Sequence, residues 1–253
     1  MLLRHITKHV KDQNWFAVLL DFFIVVVGIL IAFQINSWAE GQADKRSLHI
    51  ALQRLNDEIQ SNLVKIDSVS AQHAKIATAG KDLLEAVRSP ELKTVPMELI
   101  GPVFLDAFTT DYSTGALTYI LDQQSFHGAE SSELRRVISA LPAEYQDALE
   151  DEELVFQILD THWNPYISQY LPVESFWNRV YEERGWGAFF TPAIEATKSN
   201  PNFISEFKQI ASTLRFQNEI VNRIGYQALV LNEQDELRSI LENVSALIEE
   251  EIR

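Results

Sequence analysis

Imidazoles and carboxylates are the groups in this chain that could ligate a metal or move a proton. The histidines are His5, His9, His49, His73, His127 and His162. None lies in an H-E-x-x-H pair, and no Glu-x-x-His step sets a carboxylate and an imidazole on one helix face as di-iron bundles require. Asp160-Thr161-His162 is the nearest carboxylate–imidazole spacing, and alone it makes no site. The histidines are expected on the surface or in the core. The absence of Cys removes thiolate zinc sites, iron–sulfur clusters, disulfides and a thiol nucleophile. No G-x-S-x-G elbow, P-loop or G-x-G-x-x-G run occurs. The 36 Asp and Glu offer many chance pairs, so no acid–base couple stands out. The expectation is a chain that is not an enzyme, with no catalytic residue, no metal and no cofactor.

One carboxylate has unusual surroundings. Asp21 interrupts an otherwise apolar run from Phe16 to Phe33. Six residues after Trp15, it would lie ~9 Å into a helix that starts there. An ionised carboxylate in lipid costs at least ~2.5–3.5 kcal/mol, so such groups face a partner, a water path or the interface. On a helical wheel Asp21, Val25, Gly28, Ala32 and Ile35 share a face. Gly28-x-x-x-Ala32 is a pair of small residues that lets helices approach closely. Asp21, Val25, Gly28 and Ala32 are therefore the expected membrane interface, with Asp21 bonded across it or to a second membrane subunit. The competing reading is that Asp21 snorkels to the cytoplasmic interface.

The element that must carry these residues is the stretch Trp15–Trp38. It reaches the ~20 apolar residues needed to cross a bilayer as a helix. Trp15 and Trp38 stand roughly 35 Å apart along such a helix, as interfacial anchors would. A buried core helix is disfavoured by the length and uniformity of the run. A cleaved signal peptide is disfavoured because its apolar region would be shorter and would lack Asp21.

Arg4, Lys8 and Lys11 precede the span, whereas Lys45 and Arg46 follow it, a modest bias placing the N-terminus in the cytoplasm. The net charge is −15 over 253 residues. Residues 1–14 carry +2 and Asp21 carries −1, which leaves −16 on residues 39–253. An acidic body of this kind argues against nucleic acid as a partner. The mean hydropathy of −0.08 is thus an average over two unlike parts.

The string VVVGILIAFQINSWAE, residues 25–40, resembles the signature of an uncharacterised bacterial family of small single-pass membrane proteins. Their pattern is an acidic residue, a V-x-G-I-L-I-A-x-Q-I-N-x-W run and a long charged helix. Asp21 falls where that family usually has Glu. Residues 112–153 also resemble its central helical region, with a departure at Gln124-Ser125-Phe126-His127-Gly128. The resemblance implies a single-pass topology and carries no biochemical activity; the expected location is the bacterial inner membrane, with the C-terminal domain periplasmic or exterior.

Beyond the span the pattern is all-α. The domain reading is a cytoplasmic segment 1–14, a transmembrane helix 15–38 and an extracytoplasmic helical domain 39–253. Leu48, Leu52, Leu55, Ile59, Leu63 and Ile66 recur at helical steps, approaching a coiled-coil seam on a long helix of about 40–88. Asn200-Pro201 opens a second long helix, about 201–252. Its expected stripe runs Phe203, Phe207, Ile210, Leu214, Ile220, Val221, Ile224, Ala228 and Leu231, then Leu237, Leu241, Val244, Leu247 and Ile248. The two long helices are expected to be antiparallel, with residues 91–199 as a cap. Within the cap the expected helices are Met97–Phe108, Ser113–Gln123, Ser132–Ala140, Pro142–His162 and Val173–Glu183. The run Glu150-Asp151-Glu152-Glu153 reads as a solvated helix face.

Aromatic residues crowd between 163 and 190. Trp163, Tyr166, Trp177, Tyr181 and Trp186 form either the core of the cap or a partner surface. The sequence thus suggests an oligomerising scaffold or an accessory subunit of an envelope complex, held by membrane lipid and by its own copies or another membrane protein. The Leu48–Ile66 seam is a second possible association surface. Two alternatives remain. One is an extracytoplasmic ligand sensor acting through a partner. The other is an ion-coupled subunit working through Asp21, since a lone Asp near the cytoplasmic end of one span is similar to the B-type stator subunits of flagellar and transport motors.

Overall fold

A computed structural model describes residues 15–127, 131–170, 185 and 201–253; for Trp15 and Ala17 only the backbone is described. All regular structure among them is helical. Helix α1 is Trp15–Arg88, 74 residues without a break or roughly 110 Å. No Pro interrupts it. It ends at Arg88, just before Ser89-Pro90, where the residue before proline is steered out of the helical region. The basic Arg88 also suits the negative end of the helix dipole.

Shorter elements follow: α2 (Met97–Phe104), α3 (Gly115–Leu121), α4 (Gln124–His127) and α5 (Ser132–Ile158). The first two are shorter than expected. Ser131 caps α5, its hydroxyl accepting from Leu134 N at 3.1 Å. The expected break at Pro142 does not occur. Leu134, Ile138, Leu141, Tyr145 and Ala148 are buried on both sides of it, and that continuous stripe offsets the hydrogen bond that proline removes. Helix α5 runs on through a π turn, Leu159–Trp163, into α6 (Asn164–Ile167). Val173–Glu183 lies outside the described residues.

The long C-terminal helix divides in two, α7 (Pro201–Ala211) and α8 (Leu214–Glu251). The cause is Thr213. Its hydroxyl donates to Ile210 O and accepts from Phe216 N, closing one helix and capping the next. The buried face of α8 differs from the expected stripe as well. Ile220, Arg223, Gln227, Val230, Gln234, Leu237, Leu241, Val244 and Ile248 are buried, while Leu214, Val221 and Ala228 are exposed. The steps alternate three and four, but three of the positions are polar.

Contacts between α1 and α8 step in opposite directions along the two helices. Asn56 and Gln60 bond Ser245, Asp67 pairs with Arg238, His73 with Gln227 and Arg88 with Gln217. The helices pack tightly at Gly80, where an added Cβ would lie 2.7 Å from Ile224 Cγ1.

Two apolar clusters form the core. The first joins Leu48, Leu52, Leu55, Ile59 and Ile66 of α1 to α3, α4, α5 and Leu237–Ile248 of α8. The second joins Ala79 and Leu83 to α2, the π turn, α6, Phe207 and Phe216. The Leu48–Ile66 stripe is therefore covered within the chain and is not a free seam for a second copy. From Val18 to Arg46 every residue of α1 is exposed except the half-buried Val26.

Candidate functional site

The membrane-facing candidates sit on the bare part of α1. Asp21, Val25, Gly28 and Ala32 are all exposed. A Cβ on Gly28 would meet nothing within 4 Å. This face has no intramolecular partner among the described residues. Trp38 is exposed at its end.

The aromatic candidates fall on the other side of their alternative. Trp163 and Tyr166 are buried, 1% and 4% exposed, so they are core and not a partner surface. Trp163 lies edge-on to Phe104 and Tyr226, and Tyr166 lies under the Arg215 guanidinium at 4.4 Å. Trp177, Tyr181 and Trp186 lie outside the described residues.

The π turn has a local consequence. Its wider spacing brings two consecutive side chains onto one carboxylate. Trp163 Nε1 donates to Glu219 Oε2 at 2.8 Å, and His162 Nε2 lies 3.1 Å from Glu219 Oε1. Asp160, the other half of the spacing noted in the sequence, is exposed and takes no part.

Between the two apolar clusters lies a layer of buried polar groups. Glu152 of α5 is 1% exposed. It accepts from Thr110 N at 2.6 Å, Thr110 Oγ1 at 2.7 Å and Gln234 Nε2 at 2.7 Å. Ser70 in turn donates to Gln234 Oε1. Glu152 is thus no part of a solvated face, although Glu150 and Glu153 beside it are exposed. A carboxylate can be kept in a core only where donors replace its hydration, and three donors do so here.

His73 and Gln227, both fully buried, meet with Nδ1 2.7 Å from Oε1. An amide oxygen only accepts, so Nδ1 carries the proton. Burial holds the His73 imidazole below its usual range; the Gln227 bond, Glu152 and the Phe108 carbonyl oppose that effect and Arg223 adds to it. One turn from Gln227, Arg223 is also fully buried. It donates through Nη2 to the Asp106 carbonyl and lies 5.1 Å over the Trp163 ring. Burial pulls the guanidinium down to about 10, against the Asp106 charge nearby. Tyr112 and Tyr145 stack at 4.9 Å below the layer, and burial pushes both phenols up, Tyr145 to about 12.

Where α1 leaves its exposed stretch, an open groove of about 810 Å³ is lined by Glu40, Asp44, Leu48, Leu52, Ser125 and Ile252, among others. No group of three or more His, Asp or Glu able to hold a metal occurs among the described residues.

These features define a class: a helical protein in which one helix, long and apolar enough to cross a membrane, leads into a body with a buried polar layer. A family model described as a family of unknown function (DUF6090) matches residues 21–155, more than half of the chain, and the chain belongs to that family. The match begins at Asp21 and ends just past Glu152. It contains His73, Thr110 and Glu152 but not their partners on α8. Neither the curated proteins nor the solved structures contain a match.

The sequence signal for the polar layer was a seam with the wrong residue types in it. Asn62 and His73 on α1, and Arg223, Gln227 and Gln234 on α8, stand at positions that helical spacing reserves for the core.

Proposed function

We propose that this chain is a non-enzymatic single-pass protein of the bacterial inner membrane. Residues 1–14 lie in the cytoplasm, residues 15–38 span the bilayer, and residues 39–253 form a periplasmic helical domain. One observation carries the reading. The apolar window of α1 has no residue buried by the remainder of the chain, although the same helix is buried from Leu48 onward. A core helix would be covered, whereas lipid is the solvent that an uncovered apolar helix requires. The opposed stepping of contacts supports treating α1 and α8 as the antiparallel arms of an elongated domain.

The role that fits this form is a scaffold or an accessory subunit of an envelope complex. Association runs through the Asp21–Val25–Gly28–Ala32 face, with a second copy or another membrane protein as partner. The test is self-association of the full chain in detergent by sedimentation. Gly28→Leu is expected to shift the protein towards monomer. An unchanged oligomer would remove this face as the contact.

A second reading is favoured by the polar layer. A periplasmic sensor needs a polar site inside its helical domain, and the Glu152–His73–Gln227–Arg223 layer supplies buried polar groups there. Such a sensor would signal through a membrane partner.

A further inference from the structure

Arg223 is the least satisfied group in the layer. Its side chain is fully buried, and buried charges are normally paired and saturated with hydrogen bonds. Only Nη2 has a partner, the Asp106 carbonyl. Nε and Nη1 have none among the described residues. Four residues along α8, on the same helix face, Gln227 Nε2 is also buried without a partner. His73 occupies Gln227 Oε1 and so fixes which end of the amide remains open.

The open groups are three nitrogens carrying five N–H donors on two adjacent side chains, one of them cationic. No acceptor on the described residues claims them. Glu152 is already committed to Thr110 and Gln234. The Trp163 ring forms an apolar wall beside the guanidinium. Donors of this kind select an anion with oxygen acceptors. The charge balance restricts it further. One guanidinium already faces the Asp106 charge, which disfavours a second negative charge on the ligand.

We propose that Arg223 and Gln227 form the recognition end of a buried site for a small monocarboxylate, whose oxygens accept from the guanidinium and the amide. His73 is a positioning residue that orients Gln227. The proposal rests on the sensor reading and names its ligand class.

The experiment is thermal unfolding of the full chain in detergent micelles, followed by circular dichroism. The probes are sodium acetate and sodium L-lactate, with inorganic phosphate and sodium chloride at matched ionic strength. A carboxylate is expected to raise Tm saturably, by about 5–10 °C at ~100-fold over its Kd. Phosphate and chloride are expected to give no saturable rise. Arg223→Met is expected to fold, because an apolar isostere commonly replaces a buried ion without loss, and to lose the response. Should it not fold, Gln227→Ala takes its place, with affinity expected to fall by about tenfold or more. No saturable rise with either carboxylate, an equal rise in the variant, or a phosphate response as large would each overturn the proposal. A phosphate response would overturn the monocarboxylate class and leave the sensor reading standing, whereas no response to any probe would remove both, and neither outcome touches the membrane reading.

Discussion

Helix α1 carries two regions that differ in what covers them. From Val18 to Arg46 its residues stand bare but for the half-buried Val26, whereas from Leu48 to Leu83 one face is sealed by α2 to α5 and α8. The backbone is the same helix throughout. The difference lies in the pattern: apolar all round to Phe33 but for Asp21, then a polar stretch to Arg46, and amphipathic from Leu48. The bare part needs a solvent or partner that the chain does not supply. The sealed part finds its partners among segments distant in sequence.

Substitutions should therefore act very differently in the two regions. The largest effect is expected at Glu152. Glu152→Ala would strand the Thr110 amide, the Thr110 hydroxyl and Gln234, costing about 3–5 kcal/mol. Chemical denaturation in detergent would measure it, and a loss below about 1 kcal/mol would mean that the layer is not a structural unit. Ile59→Ala should cost about 2–5 kcal/mol by opening a cavity in the first cluster. Ile31→Ala, on the bare part, should leave the body's unfolding midpoint unchanged. Equal effects would erase the distinction between the regions.

Glycines give a finer version of the same contrast. Gly80→Ala drives a Cβ to 2.7 Å from Ile224 Cγ1 and should cost about 1–3 kcal/mol. Gly28→Ala meets open space in the chain and should not affect the body. Its effect should appear only in association, measured by sedimentation in detergent.

The smallest expected effect is on pH dependence. Burial lowers the proton affinity of His73 in the fold, with the Gln227 bond, Glu152 and the Phe108 carbonyl opposing that effect and Arg223 adding to it. The unfolded chain takes up a proton at this residue below about pH 6.5. The unfolded state then binds more protons, so stability falls as pH is lowered through that value. His73→Gln should flatten this part of the profile. A wild-type curve with no acid-side slope attributable to His73 would contradict the assignment.

Much of this architecture could be read locally. The apolar run and its Asp21 are a contiguous signal, and the Leu48–Ile66 stripe marks a buried face without its partner. What covers that face depends on α5 and α8, which no local pattern can supply. The aromatic residues show why composition leaves alternatives open: Trp163 and Tyr166 have the same residue types whether they fill a core or coat a surface. The polar layer was obscured because its members are ordinary helix residues. Glu152 stands in an acidic run whose neighbours are solvated. Arg223, Gln227 and Gln234 hold core positions on α8, while the exposed apolar Val221 and Ala228 draw the eye to the wrong face.

The central claim is that residues 15–38, within the bare part of α1, cross a bilayer and that the body lies on one side of it. The chain contains no Cys, so a single introduced thiol can be read without background. Ile31→Cys and Ser61→Cys would be probed in intact spheroplasts with a membrane-impermeant maleimide. The account predicts that Ile31→Cys stays unlabelled and that Ser61→Cys is labelled from outside without permeabilisation. Ready labelling of Ile31→Cys, or labelling of Ser61→Cys only after the membrane is opened, would contradict it.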